Sequence, residues 1–311
     1  MLSGNFSFRS EYGTAIFVYH WSPKPDVNIK GVVQIAHGMA ETASRYERFA
    51  SFLTENGYVV YANDHRGHGR TAESLDGVGY LADKDGFDWL VKDMHQLTHI
   101  IKSENTGLPL FLFGHSMGSF AAQLYLMSYG HELRGAILSG SNGKAALLHN
   151  IGFIIAAGEV RKHGRKAKSE KMNKLSFGSY NNAFKPNRTE FDWLSRDNDE
   201  VDKYINDPYC GGIFTAGFYY DFMKGLKETD KIRDFDKIPK GLPVYIVSGD
   251  KDPVGGAGKG VNKLYRAYKK AGLEDVTIKL YPEGRHEMLN EINRDEVMKN
   301  VLNWLNDKVE A

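Results

Sequence analysis

The stretch Leu108-Pro109-Leu110-Phe111-Leu112-Phe113-Gly114-His115-Ser116-Met117-Gly118 decides how this chain is read. An apolar run of strand length ends on Gly-x-Ser-x-Gly. The helix formers Phe120-Ala121-Ala122-Gln123-Leu124-Tyr125-Leu126-Met127 follow it. Ser116 therefore falls on a sharp strand-to-helix turn, the setting that exposes a serine hydroxyl as a nucleophile. Side chains at 114 or 118 would crowd backbone that must lift the serine above a sheet edge. A pattern this short also arises by chance in glycine-rich turns. The reading stands only if the rest of the chain supplies a base, an acid and an oxyanion hole.

Outward from this turn, apolar runs alternate with helix-like segments. Strands are expected at 32–36, 58–62, 108–113 and 135–139, with helices at 44–56, 84–104 and 117–129. Such alternation implies βαβ units and a buried, mostly parallel sheet. Ahead of them, residues 6–21 carry β-branched and aromatic residues on either side of Tyr12-Gly13, as an antiparallel hairpin does. The rhythm is lost from about Gly140 and resumes with a strand at 242–247, a helix near 257–271, a strand at 276–281 and a helix at 291–307. The expected architecture is α/β: a twisted sheet with helices on both faces, its core split in sequence by an insertion.

A serine hydroxyl needs an imidazole to accept its proton and a carboxylate to hold that imidazole in the useful tautomer. On a strand-to-helix nucleophile turn the three follow in the order serine, acid, histidine. Of the 11 histidines only His286 lies beyond the strand at 242–247, in the turn Tyr281-Pro282-Glu283-Gly284-Arg285-His286-Glu287. The acid is expected in Ser248-Gly249-Asp250-Lys251-Asp252-Pro253-Val254. There Asp252, in a Gly-x-x-Asp-x-Val stretch, is favoured over Asp250, although either could simply form a turn. Two backbone amides must face the oxyanion. Met117 follows the nucleophile, and Met39 lies in His37-Gly38-Met39-Ala40-Glu41 after the strand at 32–36. All these loops follow strands and would meet at one edge.

With these loops in place, the chain resembles the monoglyceride lipase and lysophospholipase group of α/β-hydrolases across nearly its whole length. The resemblance is carried by His37-Gly38-Met39-Ala40-Glu41-Thr42-Ala43-Ser44-Arg45-Tyr46, by Asn63-Asp64-His65-Arg66-Gly67-His68-Gly69, by Gly114–Gly118, by Gly249-Asp250-Lys251-Asp252-Pro253 and by His286. It implies the α/β-hydrolase fold, with Ser116 as nucleophile, Asp252 as acid, His286 as base and the amides of Met39 and Met117 as oxyanion hole. It also implies that 140–212 is a mainly helical lid, set between core segments 1–139 and 213–311. The activity implied is hydrolysis of monoacylglycerol, lysophospholipid or similar acyl esters through an acyl-enzyme, with no metal and no organic cofactor.

Bulk composition narrows the partners. Across 311 residues the formal net charge is +1, which gives no basic field for nucleic acid and leaves a small molecule as the default partner. A lone cysteine, Cys210, makes no internal disulfide, and the N-terminus lacks a secretory pattern, so a cytoplasmic location is expected. The apolar stretch 151–158 is far short of the roughly 20 residues that span a bilayer. Followed by the basic run 161–168, it has the order that would let a lid touch an anionic membrane transiently; a solvated basic surface is the plainer alternative. Aromatic residues of the insertion and the following helix, Phe177, Tyr180, Phe184, Phe191, Trp193, Phe214, Phe218, Tyr219 and Phe222, are expected to be mostly core, with a few facing a cleft.

Other features fail as sites. Gly255–Gly260 is no phosphate loop, since its Gly-Lys at 258–259 would need glycine at 253, which is Pro253, and Ser or Thr at 260, which is Gly260. Asp64-His65-Arg66-Gly67-His68 offers metal ligands without a completing cluster. Two other readings remain: a peptidase or amidase holding an amino terminus with lid carboxylates (Glu159, Glu190, Asp192, Asp197), and a non-catalytic receptor on the same scaffold. Ser116 stands where haloalkane dehalogenase chemistry would need a carboxylate.

Overall fold

Five segments are buried at every position and must be covered on both faces, which selects the centre of a parallel sheet. They are β3 (Gly31–Ala36), β4 (Tyr58–Asn63), β5 (Leu110–His115), β6 (Gly135–Ser139) and β7 (Val244–Gly249). In the computed structural model, which describes residues 1–310, these strands occupy the middle of an eight-stranded sheet ordered β1-β2-β4-β3-β5-β6-β7-β8. The edges differ. On one side β1 (Leu2–Arg9) and β2 (Ala15–Ser22) form the expected hairpin, and β2 pairs antiparallel with β4. On the other, β8 (Val276–Tyr281) runs parallel to β7 and is only partly covered.

Helices close both faces. α1 (Glu47–Glu55) and the C-terminal α9 (Arg294–Glu310) pack Phe49, Leu53, Val297 and Val301 against Val33, Ile35, Phe111 and Phe113. The other face is covered by α2 (Gly86–Glu104), α3 (Met117–Tyr129) and α8 (Lys259–Lys270), with Leu90, Leu97, Ala122 and Leu264 in its core. From β3 the chain winds through α1 to β4. It then returns through α2 to β5 on the opposite side of β3. The loops leaving β3 and β5 therefore diverge to opposite faces and open a crevice at the carboxyl ends of the strands, the switch point where such sheets bind ligands.

Between β6 and β7 lie α4 (Ala146–His163), α5 (Glu170–Phe177), α6 (Asn198–Asn206) and α7 (Ala216–Thr229). α4 packs on α7, where the Phe153 and Tyr220 rings meet at 4.9 Å. Trp193, Leu194, Tyr204 and Cys210 form a small apolar cluster of their own. Element types match the sequence reading, and boundaries shift by a few residues where caps intervene. The helix that follows the insertion begins at Ala216, because the Thr215 hydroxyl accepts the Phe218 amide at 3.2 Å and fixes the first turn there.

Candidate active site

Ser116 joins β5 to α3 with φ +50° and ψ −118°, a conformation that costs a non-glycine residue of order 1–3 kcal/mol. The surroundings enforce it. The Ser116 amide donates to Ser139 O on β6 at 2.9 Å, while its carbonyl accepts the Ser119 hydroxyl at 2.6 Å. The flanking glycines are required by close approach: a Cβ on Gly118 would run into the Ala36 and His37 carbonyls, and one on Gly114 would lie 2.6 Å from Gly118 O. α3 thus begins hard against the end of β3, bringing the nucleophile turn beside the loop 37–41.

Asp252 is fully buried on the loop after β7, and its carboxylate accepts three donors. His286 Nδ1 lies 3.0 Å from Oδ1, the Val254 amide donates to Oδ1 at 2.9 Å, and the Ser248 hydroxyl donates to Oδ2 at 3.1 Å. Burial alone would raise this carboxyl, but the imidazole and the other donors hold it below the ordinary aspartate value. For His286 burial would lower the pKa; the adjacent Asp252 charge overrides it and raises the ring above its usual 6.5. With Nδ1–H given to Asp252, the basic nitrogen is Nε2, and His286 and Ser116 line one cavity. Asp250 is occupied elsewhere, accepting the Glu283 amide at 2.8 Å and pairing with Lys251.

Among the described residues neither the Met39 nor the Met117 amide has a hydrogen-bond acceptor in the chain, and both residues line cavities that reach Ser116. Gly38, by contrast, gives its amide to Glu41 Oε1 at 2.5 Å, so it is not free to serve. The His37 tautomer is fixed: Nε2 accepts the His65 amide at 2.9 Å, so Nδ1 carries the proton and donates to Gly38 O at 2.7 Å. Burial pushes His37 down to about 4, and it stays neutral. The loop is therefore held at both ends of the Gly38 peptide. Asp64 accepts the Ala43 and Arg70 amides at 2.8 Å, and the His65 and His68 imidazoles pack on His37 and Phe214.

Several residues act here without a sequence signal for their role. Arg45 pairs in bidentate fashion with Glu287, both contacts 2.7 Å, and reaches Glu41 at 2.7 Å. The loop carrying His286 is thereby tied to the loop carrying Met39. Burial would raise the Glu287 carboxyl, yet the Arg45 guanidinium holds it down to about 2. Glu41 and Arg45 have ion-pair spacing, but Glu287 lies 242 positions from Arg45. Trp193, from the insertion, sets its ring 5.0 Å from the His286 ring and accepts the His286 amide, while Leu194 O accepts the Glu287 amide at 2.8 Å. Further along, Ser195 bonds Asn290 O at 2.8 Å and Arg196 pairs with Glu291 at 2.8 Å, so 193–196 is zippered to 286–291. Gly140, φ +58°, leaves room for the base: a Cβ there would sit 2.8 Å from His286 Cε1.

Two cavities converge on Ser116 and Met39. One, about 730 Å³, is bordered by His286 and by Asn173, Asn181, Asn187 and Thr189. The other, about 460 Å³, is walled by Met117, Phe120, Ile155, Met172 and Phe222 and runs out to Leu148, Ile151 and Leu175. Of the expected aromatics, Phe214, Phe218 and Tyr219 are core, whereas Phe177, Tyr180, Phe191, Trp193 and Phe222 reach one cavity or both. Of the four lid carboxylates only Glu190 lines a cavity at Ser116. Glu159 binds Ser169, Asp192 caps Thr189, and Asp197 pairs with Arg294.

Residues 27–293 match the family described as serine aminopeptidase, S33. A monoacylglycerol lipase of Mycolicibacterium smegmatis is 30% identical over 303 residues, covering 96% of this chain and 95% of that protein. The monoglyceride lipase of Homo sapiens is 27% identical over 94% of this chain and 86% of its own length. Among solved structures, a thermostable carboxyl esterase from Bacillus coagulans, in complex with glycerol, superposes with a TM-score of 0.92 at 29% identity over 99% of both chains.

Proposed function

We infer that this chain, which belongs to the serine aminopeptidase S33 family of α/β-hydrolases and within it to the monoglyceride lipase and lysophospholipase group, cleaves acyl esters with one apolar and one polar arm. It is a hydrolase of the esterase and lipase type. The observation that carries the substrate class is the junction at Ser116 of an apolar cavity with a mixed one, whose wall sets Asn173, Asn181, Asn187 and Thr189 among Phe177, Phe191 and Trp193. An acyl chain fits the first, and a glycerol or lysophospholipid headgroup fits the second.

In this reading Ser116 attacks the ester carbonyl while His286 Nε2 takes its proton, and Asp252 stabilises the imidazolium that results. The oxyanion faces the amides of Met39 and Met117, each worth about 10²–10³ in rate. The protonated His286 then delivers its proton to the leaving alcohol, and water repeats the sequence on the acyl-enzyme. Recognition of a free amino terminus is disfavoured despite the family's descriptive name, since three of the four candidate carboxylates serve the chain's own structure.

Residues 140–212 act as the lid over this junction. On α4, Leu147, Leu148, Ile151 and Ile154 are 74%, 70%, 47% and 70% exposed, and Leu148 and Ile151 also border the apolar cavity. A lipid surface meeting this face would present acyl chains at the cavity mouth. Within the basic run, Arg165 is committed to Asp221 and Lys168 to the Val78 carbonyl; Arg161 and Lys162 are exposed and available to anionic headgroups of such a surface. Among the described residues no helix is long and apolar enough to cross a membrane.

The test is turnover of p-nitrophenyl esters of graded chain length, monoacylglycerols, lysophospholipids and an aminoacyl anilide. Esters are expected to turn over, the anilide not, and Ser116→Ala to lose about 10⁴-fold or more in kcat. Ester turnover equal in wild type and Ser116→Ala would sink the proposal.

A further inference from the structure

At the end of the molecule remote from Ser116, His95 and His99 lie one turn apart on α2, beside Glu132 in the 3-10 turn that leads into β6. Their ligand atoms all lie within 4.8 Å of one another. We propose that His95, His99 and Glu132 bind a divalent transition-metal ion of the zinc type. Two imidazoles and a carboxylate are a donor set for Zn²⁺ and not for Mg²⁺ or Ca²⁺, which take oxygen ligands. The i, i+4 spacing puts both rings on one helix face.

The rings are partly organised. His95 stacks on Tyr129, the last residue of α3, with centroids 3.7 Å apart and planes within 9°, and the His95 and His99 centroids are 4.4 Å apart. The three side chains leave a fourth position to water. The competitor is Lys102, whose ammonium pairs with Glu132 Oε2; its side chain is 45% exposed and can swing into solvent when the ion enters. Bound there, the ion cross-links α2 to the turn between α3 and β6. α2 runs back from the crevice toward the strand starts, so the ion acts on stability and not on the reaction.

The full-length protein, freed of metal, is titrated with CoCl₂ and then ZnCl₂. One Co²⁺ per chain, with the visible absorption of a four-coordinate N,O site and displaced by Zn²⁺, is expected. Zn²⁺ at a hundredfold excess over Kd should raise Tm by about 4 °C. His99→Ala and Glu132→Gln should each weaken binding by at least about tenfold while leaving ester turnover at wild-type level. Absence of one-to-one binding tighter than about 100 µM would overturn the proposal. Binding unchanged in both variants, or thiolate bands from Cys210, would do the same.

Discussion

Asp252 and Asp250 stand two positions apart on one loop, and burial separates their parts. Asp252 is fully buried with His286 as its partner, whereas Asp250 braces the turn at Glu283. Asp252→Asn should lower kcat by about 10⁴ and Asp250→Asn only a few-fold; the reverse ranking in steady-state assays would reassign the acid. The base adds a pH signature. His286 must be neutral to accept a proton, and its pKa lies above 6.5, so kcat/KM should fall as pH drops through a midpoint above that value. Without the Asp252 charge, burial is opposed only by the Glu287 and Glu41 carboxylates and the midpoint should move downward. Glu287 is depressed to about 2, so its contribution to stability is present above the ordinary glutamate value of 4.5 and is lost as pH falls toward 2. Arg45→Met leaves that carboxylate buried and alone, and denaturant titration at pH 7 should register a loss of about 3–5 kcal/mol. Chain order was enough to single out Ser116, Asp252 and His286 as candidates. It did not disclose the Arg45 link, which depends on two loops meeting only in the folded chain.

Periodicity and turn chemistry made the core elements legible, from the hairpin read at 6–21 to the closing helix, because a strand covered on both faces has few other sequences open to it. Two things escaped. Gln34, buried in the middle of β3, has no signal beyond its oddity. It is satisfied by Met94 O at 2.8 Å and by the Thr98 hydroxyl at 2.7 Å, both on α2, in a network that Tyr125 extends. The insertion was opaque for a different reason: α4 is apolar nearly all round, so its buried face could not be told from its exposed one. One side packs on α7 and the other shows Leu147, Leu148, Ile151 and Ile154. Replacing Leu147 and Ile154 with Ser should reduce co-sedimentation with anionic phospholipid vesicles and raise KM for vesicle-borne monoacylglycerol. Hydrolysis of a soluble short-chain ester should be unchanged, and Tm nearly so, because exposed side chains away from special features contribute within about 0.5 kcal/mol. Equal vesicle binding by wild type and variant would remove the membrane from the account.

At the scale of the molecule, the sheet's switch point explains why residues so far apart in sequence meet in one crevice. β3 delivers Met39, β5 delivers Ser116, and the β7 and β8 loops deliver Asp252 and His286 from the same edge. The insertion is not a detachable cover on that edge. Its segment 193–196 is bonded to 286–291, the chain that carries His286, whereas α4 meets the crevice mainly through apolar side chains and α5 adds Asn173 and Lys174 to the larger cavity. A transplantation experiment follows from that asymmetry. A chimera that receives foreign sequence for 146–177 and keeps 190–210 should retain short-ester turnover within about tenfold and take on the donor's chain-length preference. A chimera exchanged across the whole of 140–212 should lose kcat unless the donor's 286–291 counterpart travels with it. Substrate range is thus modular in this protein only up to the point where the insertion becomes part of the scaffold of the base.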